Sequence, residues 1–479
     1  MISAGILDRD SDVPLHEQLA HNLRATIVAG RASGGDAVPS TRALAADLGI
    51  ARGTAVAAYE ILAGEGYLST RPGGRTVVAE VVGSSTRPVE RGDHASAKTA
   101  PAVVDLRPGR PHTTGIADAA WRSAWRRAGG VDPVSDVDDV RGHPPLRDQI
   151  ARHLGRTRGL DVVPDEVIVT AGTSDAVLLT VLALTPRNVG RPLRVGIENP
   201  GYPRVRRILH RLRVEVVPFP VRLDDGLDLD AVEARADLDA LVVTPHHHYP
   251  LGTRLDAAAR ARLLTWAART GAVIVEDDYD SEFPHGRAPL PPLHLLDPGR
   301  VVMIGTLSKV LSPSLRSGWI VATGELRDRL VAARADLDPP VSQVQQRALA
   351  LYLGEGALAR HTARRRRDYR HRRRLLLEAF AGIDGVELTA TDGGLHAVVL
   401  LPVAGAATEQ AVVDQLAARG ILVSPLSGYA VPGAAVDVPA GIVFGYAEPS
   451  TPVLMSAVAE LIAIVRAVAS RPRLDPDTV

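Results

Sequence analysis

The segment "GTLSKVLSPSLRSGW", Gly305 to Trp319, holds one of only two lysines in the chain; the other, Lys98, lies in a Ser/Pro/Gly-rich stretch. Arginine is permanently protonated, whereas a lysine amine can lose its proton and form an imine with an aldehyde. A phosphorylated aldehyde needs such an amine, together with hydroxyls and a guanidinium for its phosphate dianion. Thr306 and Ser308 stand beside Lys309, and Arg316 follows seven residues later. The set points to pyridoxal 5'-phosphate held as an aldimine on Lys309.

The rest of such a site is present in the sequence. "TAGTSDAVLLT" runs from a strand through Gly172, Thr173 and Ser174 into a helix whose first N–H groups suit a phosphate. "AVIVEDDYDSEF" puts Asp277 at a strand end, where a protonated pyridine nitrogen would give a buried carboxylate its counter-charge, and Tyr279 two residues on as a donor to the ring hydroxyl. Tyr202, after the turn in "ENPGYPRVR", is placed to cover the ring. One of His248 and Tyr249 is expected near the cofactor's hydroxyl. No metal site is expected: strand alternation scatters Asp277, Asp278, Asp280 and Glu282 to opposite faces, and His246, His247 and His248 are adjacent, a spacing that seldom converges on one ion.

These residues need a scaffold, and 479 residues are long enough for two or three folding units. There are no cysteines, so neither a disulfide framework nor Cys-ligated zinc applies. The first residues carry no basic-then-apolar leader pattern, and no apolar run is read as approaching a membrane span; the expectation is a cytoplasmic protein without a membrane partner. Formal net charge is zero, so any nucleic-acid signal must be local. Beyond about residue 104, "EVIVT", "LRVGIE", "ALVVTP", "AVIVEDD" and "RVVMIGT" alternate with helical patterns such as "DAVLLTVLAL" and "AARARLLTWAART". That alternation predicts an α/β body with a largely parallel sheet over 104–470. Residues 80–103, rich in Ser, Pro, Gly and charge, read as a linker.

Residues 1–79 form a separate unit. Leu15, Leu19, Leu23, Ile27 and Val28 lie at helical spacing, and "PSTRALAADLGIARGTAVAAYEILAGEGYL" predicts helix, turn, helix, followed by a hairpin wing in "GYLSTRPGGRTVV". In that arrangement the second helix enters the major groove with its N-terminal residues, here Arg52 and Thr54. Arg42 opens the preceding helix, and Arg71 and Arg75 sit at the hairpin tip within reach of phosphates. Residues 1–80 carry seven arginines against nine acids, so placement rather than charge argues for double-stranded DNA over a plain docking domain. The nine arginines from Arg360 to Arg374 read as a solvated helix face, with phosphate contact as the second reading.

The first unit resembles the winged helix-turn-helix domain of the GntR family, with Ala51-Arg52 where that family usually has Ser-Arg. The later segments resemble fold-type I aminotransferases, with large and small domains, from about Leu106 to Val465. Together they resemble the MocR subfamily of GntR regulators. The resemblance implies Lys309 as the imine lysine, Asp277 as the ring-nitrogen partner, Tyr279 as the O3′ donor and Tyr202 as the stacking residue. Arg316, Thr306, Ser308 and Gly172 to Ser174 would be the phosphate contacts. It also implies a homodimer, head-to-tail, on a double-stranded operator.

Two departures bear on function. Aminotransferases of this fold clamp the substrate α-carboxylate with a late arginine, yet none occurs between Arg419 and Arg466, which leaves Arg204 as the substitute anchor for an effector. Val137 stands where the fold often has a tyrosine reaching the neighbouring subunit's phosphate. The leading expectation is a regulator that senses pyridoxal phosphate, or an amine or amino acid reacting with it, with vitamin B6 or amino-acid metabolism as the output. The alternative is a working aminotransferase with an accessory N-terminal unit, and a third is a degenerate fold that binds no cofactor.

Overall fold

The computed structural model describes residues 7–9, 11, 13–70, 75–79, 103–136, 139–185, 190–286, 290–383, 386–401, 405–434 and 438–469. Arg71, Val137 and all of the 80–103 segment but Val103 lie outside them.

The head is built from α1 (Leu15–Val28), α2 (Thr41–Leu48), α3 (Arg52–Gly64) and the antiparallel wing β1 (Leu68–Thr70) and β2 (Thr76–Val78). Leu19, Leu23, Leu44, Ala55, Ala58, Tyr59 and Leu62 close its core. Val28, at the last position of α1, faces solvent instead. Ser40 Oγ accepts from the Ala43 amide and caps α2, and Gly49 turns the chain at φ 61° between the two helices. Ala51 has no hydroxyl, so α3 begins without a side-chain cap.

The body opens with β3 (Val104–Asp105), α4 (Ala119–Gly129) and α5 (Pro144–Arg158). Its large sheet follows through β4 (Val167–Thr170), β5 (Arg194–Asn199), β6 (Glu215–Arg222), β7 (Gly226–Leu227), β8 (Ala240–Val243), β9 (Val273–Asp278), β10 (Val301–Thr306) and β11 (Gly318–Val321). The helices α6 (Thr173–Leu184), α7 (Pro203–Arg211), α8 (Leu229–Glu233), α9 (Ala257–Thr270) and α10 (Leu293–Leu296) intervene. Strand order is β4-β11-β10-β9-β8-β5-β6-β7. The run from β10 to β6 is parallel, whereas β11 is antiparallel to both β10 and β4. Strands of the parallel run are apolar on both faces because helices cover both sides.

After α11 (Gly324–Ala335), α12 (Gln343–Gly354) and α13 (Ala357–Phe380) comes a smaller antiparallel sheet. It comprises β12 (Glu387–Thr389), β13 (His396–Leu400), β15 (Ser424–Pro425) and β16 (Gly441–Gly445); α14 (Ala406–Ala418) and α15 (Thr451–Ala469) pack with it. The short β14 (Ile421–Leu422) pairs in parallel with β3 and ties the entrance of the body to this sheet.

Two expectations need correction. The arginine block on α13 is not one solvated face: Arg365 and Arg372 are buried, in step with Leu358, His361, Tyr369, Leu376 and Phe380 on the inward stripe. Arg372 donates to the carbonyls of Tyr446 and Ala447, Arg365 pairs with Asp368, and Arg366 pairs with Glu282. Residues Thr451–Val468 of α15 are long and apolar enough to cross a membrane, with mean hydropathy 1.7, contrary to the reading of the sequence. The helix instead buries Leu454, Val458, Leu461, Ile464 and Val465 in the largest core.

The head rests on the body. Thr451 N donates to Glu65 O at 3.2 Å, Arg24 holds the Glu65 carboxylate at 2.6 Å, and a Cβ on Gly66 would fall 2.6 Å from Ser450 Cβ.

Candidate functional site

At the carboxyl ends of the parallel strands lies a cavity of about 510 Å³. Loops between strand and helix open there, the usual place for a ligand in an open α/β sheet. Thr173, Ser174, Tyr202, Arg204, Asp277, Tyr279, Thr306, Ser308, Lys309 and Arg316 all line it. Nine of them come from the cofactor set expected from sequence, and Arg204 is the expected effector anchor.

One end of the cavity is a cup for an anion. Gly172, at φ 88°, precedes α6, and a Cβ there would sit 3.9 Å from Arg316 Nη1, Ser308 Oγ and Thr306 Oγ1 alike. Thr173 and Ser174 open the first turn of α6, where amides have no intrahelical carbonyl to meet. Thr306 Oγ1 and Ser308 Oγ are 3.0 Å apart, and Ser308 N donates back to Thr306 Oγ1. Arg316 holds a left-handed backbone, φ 46°, which is costly for a side chain of its size and turns its guanidinium to the cup. Asp175, an acid at the same helix end, is engaged by the Ala171 amide and by Arg334.

At the other end stand Asp277 and Lys309. Burial, reinforced by neighbouring Asp278, pushes the Asp277 carboxyl up to about 7; Lys309 and a hydrogen bond from Thr173 pull the other way. Its Oδ1 is buried and has no hydrogen-bond partner. Burial lowers the Lys309 amine from its ordinary value against the attraction of Asp280 and Asp277, which favours the nucleophilic neutral form. Lys309 Nζ donates to Gly109 O at 3.1 Å. A cup of hydroxyls, helix amides and guanidinium, an orphaned carboxylate oxygen and a depressed amine fit a phosphate, a protonated ring nitrogen and an aldehyde.

Tyrosines form the remaining wall. Tyr202 meets Tyr249 edge-on at 5.8 Å, and the Tyr249 and Tyr429 hydroxyls are 3.1 Å apart. Tyr249 lines the cavity while His248 is buried behind it with Nε2 on Pro200 O, so of that pair only Tyr249 faces the cavity. Tyr279 OH meets His247 Nδ1 at 3.1 Å, and the same nitrogen bonds Asp280 at 2.7 Å. His247, Asp280 and His396 bring donor atoms within 4.8 Å of one another, a grouping the sequence reading did not foresee. His396 Nε2 is already held by Pro250 O. The arrangement is a hydrogen-bonded support behind the tyrosine.

Pro108, Gly109, Arg110, Thr113 and Glu448 also line the cavity and were not anticipated. They carry no motif; the β3–β14 pairing and the turn after β16 bring them in.

On the head, Arg42 and Arg52 lie exposed at the N-termini of α2 and α3, and Arg75 is exposed beside the wing. None of the three makes an ion pair among the described residues, and Thr54 is half-buried in the first turn of α3.

A winged helix-turn-helix head joined to a fold-type I aminotransferase-like body defines a class of DNA-binding regulator. Residues 15–78 match the model for bacterial regulatory proteins of the gntR family, and residues 109–436 match aminotransferase class I and II. Over 445 residues the chain is 40% identical to the HTH-type pyridoxine biosynthesis transcriptional regulator PdxR of Corynebacterium glutamicum, covering 93% of this chain and 94% of that one. It is 34% identical to the probable rhizopine catabolism regulatory protein MocR of Rhizobium meliloti, covering 88% of each. Among solved structures, the multiple substrate aminotransferase of Thermococcus profundus superposes with TM-score 0.68 at 22% identity, over 78% of this chain and 93% of that one. An archaeal alanine:glyoxylate aminotransferase gives 0.67 at 23%, over 76% and 91%. At those identities the likeness shows the fold alone. The chain belongs to the MocR subfamily of GntR-family transcriptional regulators, and is a transcriptional regulator with an aminotransferase-like domain.

Proposed function

We propose that the body binds pyridoxal 5'-phosphate through a covalent linkage to Lys309, and that occupancy of this site, or its reaction with an amine or amino-acid effector, sets the affinity of the head for an operator. The observation that carries this reading is the pairing, in one cavity, of the half-buried Lys309 amine, its pKa lowered, with a buried carboxylate whose Oδ1 has no partner. When bound, the cofactor supplies an electrophilic aldehyde and an electron-withdrawing ring. The chain's own groups do the rest. Asp277 offers its free oxygen to the ring nitrogen. Thr306, Ser308, Arg316 and the start of α6 hold the phosphate, and Tyr202 covers the ring. Tyr279, backed by His247, faces the ring hydroxyl.

Strand β16 has buried Val443 in its centre, and no arginine lies near it in sequence to clamp an α-carboxylate. This favours sensing over turnover and leaves Arg204, at the cavity wall, as the anchor for an effector carboxylate. The 40% relative is named for pyridoxine biosynthesis, which supports vitamin B6 supply as the controlled output. On the head, exposed Arg42, Arg52 and Arg75 support DNA contact, with Arg71 and Thr54 as further members of that set. The reading takes the protein as a cytoplasmic homodimer, whose two heads would address two half-sites.

The test is a titration of the full-length protein with pyridoxal phosphate, followed by visible absorption and borohydride reduction. A reducible adduct mapped to Lys309, with a change in operator affinity on a gel shift, supports the reading. Absence of any adduct sinks it. Sustained release of keto acid from an amino-acid panel would instead establish the working aminotransferase.

A further inference from the structure

The cavity and the seat of the head share one short turn. Segment 109–112 forms one part: Gly109 O accepts from Lys309 Nζ, Arg110 lines the cavity, and His112 Nδ1 meets Glu448 O at 2.8 Å. Arg110 also reaches the Glu448 carboxylate at 3.7 Å. Glu448 belongs to the turn between β16 and α15. Arg372 grips the carbonyls of Tyr446 and Ala447, so the turn is held from behind while the Glu448 side chain faces the cavity.

Three residues beyond Glu448 the same turn meets the head. Thr451 is the first residue of α15, where an amide has no carbonyl within its own helix. Its N–H donates to Glu65 O, the residue that ends α3. The carbonyl end of the recognition helix thus abuts the amide end of a core helix, a favourable alignment of their dipoles. Ser450 presses on Gly66 beside it. Arg52 and Thr54 lie at the far end of α3, roughly 18 Å away at 1.5 Å per residue.

We infer that segment 109–112 and the turn Tyr446–Thr451 form a relay from Lys309 to the recognition helix, with Glu448 as the side chain that reads the cavity. The relay rests on the proposed cofactor reading. An aldehyde condensing with the neutral Lys309 amine forms a carbon–nitrogen double bond, and the aldehyde oxygen leaves as water with both amine hydrogens. Gly109 O then loses its donor from Nζ, and segment 109–112, still tied by Arg110 to Asp105 and by the His112 amide to the Tyr369 hydroxyl, readjusts against Glu448. That readjustment shifts the turn on which α3 ends.

Hydrogen–deuterium exchange on the full-length protein, with and without saturating pyridoxal phosphate, tests this. Thr451→Pro removes the one amide bonded to Glu65 O at a helix position that accepts proline; Glu448→Gln removes the reading charge and keeps the side-chain shape. In the wild type, peptides spanning α3 and the start of α15 should change exchange rate about fivefold or more, the lower end of ordinary allosteric coupling. Thr451→Pro should keep the visible band of the bound cofactor and lose the α3 response, and Glu448→Gln should weaken that response. If Thr451→Pro does not fold, Glu448→Gln alone decides. A band in the wild type without any α3 response, or an α3 response undiminished in the folded variants, overturns the relay and leaves the cofactor reading intact. No band at all overturns both.

Discussion

Asp277 and Lys309 line the same cavity and form no bond with each other: the carboxylate keeps one oxygen without a partner, and the amine turns to the Gly109 carbonyl. A carboxyl and an amine left apart in such a site are each pushed toward the neutral form, because each has lost water without gaining the other. A ring carrying a cationic nitrogen at one edge and an aldehyde at another satisfies both.

Asp277→Asn should therefore weaken pyridoxal phosphate binding by tenfold to a hundredfold, as expected for a charge-assisted bond contributing about 1.5–3 kcal/mol. Lys309→Ala should abolish the visible band altogether. Absorbance titration measures both, and an asparagine variant that binds as tightly as the wild type would contradict the assignment of Asp277.

The same carboxyl gives the cofactor-free protein a pH signature. Burial holds Asp277 up at about 7, above the ordinary carboxylate value of the unfolded chain. Between those values the folded protein keeps a proton that the unfolded chain has released, so stability falls as pH rises through this window and levels off above about 7. Asp277→Asn cannot ionise. The thermal midpoint of the variant relative to wild type should rise from pH 5 to pH 8 in the absence of cofactor, and a difference that stays flat would refute the shift. Glu276, also buried and pushed up to about 7, is common to both proteins and cancels in the comparison; Glu198, likewise up at about 7, loses the part of its rise that Asp277 supplies, which adds to the difference in the same direction.

Arg42 and Arg52 should each appear in the salt dependence of DNA binding. If each neutralises one phosphate, replacement by alanine lowers the slope of log K against log salt by about 0.9. Anisotropy titrations across a salt series read this directly. Loss of affinity with an unchanged slope would show that the side chain acts through the fold of the head instead.

Gly305 lies against the Trp319 indole across the β10–β11 register, and a Cβ at this position would fall 2.3 Å from ring atoms. Gly305→Ala should destabilise the body by about 1–3 kcal/mol through overpacking. Because the lysine turn begins at the end of β10, cofactor affinity should fall with it. Equal binding and an unchanged thermal midpoint would mean that the indole moves aside freely.

The reactive side of the cavity was legible because its residues sit at strand ends or helix starts with fixed local spacing: Asp277 and Tyr279 at the end of β9, Thr306 and Ser308 at the end of β10, Gly172 before α6. Its opposite wall was not. Gly109, Arg110 and Glu448 lie in stretches without pattern, and contacts separated by more than 300 residues in the chain bring them together. Strand β11 shows why a largely parallel sheet is the natural reading of alternating strands and helices; its reversal follows from the short lysine turn, which leaves no room for a crossover. The inward arginines of α13 did carry a signal. Arg365 and Arg372 are seven residues apart and in phase with Leu358, Tyr369 and Leu376, but the charge of the whole run masks that stripe. Arg71 and the linker fall outside the described residues.

The scarcity of lysine has a practical consequence. Nearly every cation in this protein is a guanidinium, so a reactive carbonyl compound diffusing over its surface meets almost no amine with which to condense until it enters the cavity at residue 309. On the proposed reading, occupancy should then track the concentration of the free vitamer cleanly, without the background of stray surface adducts that a lysine-rich protein would accumulate.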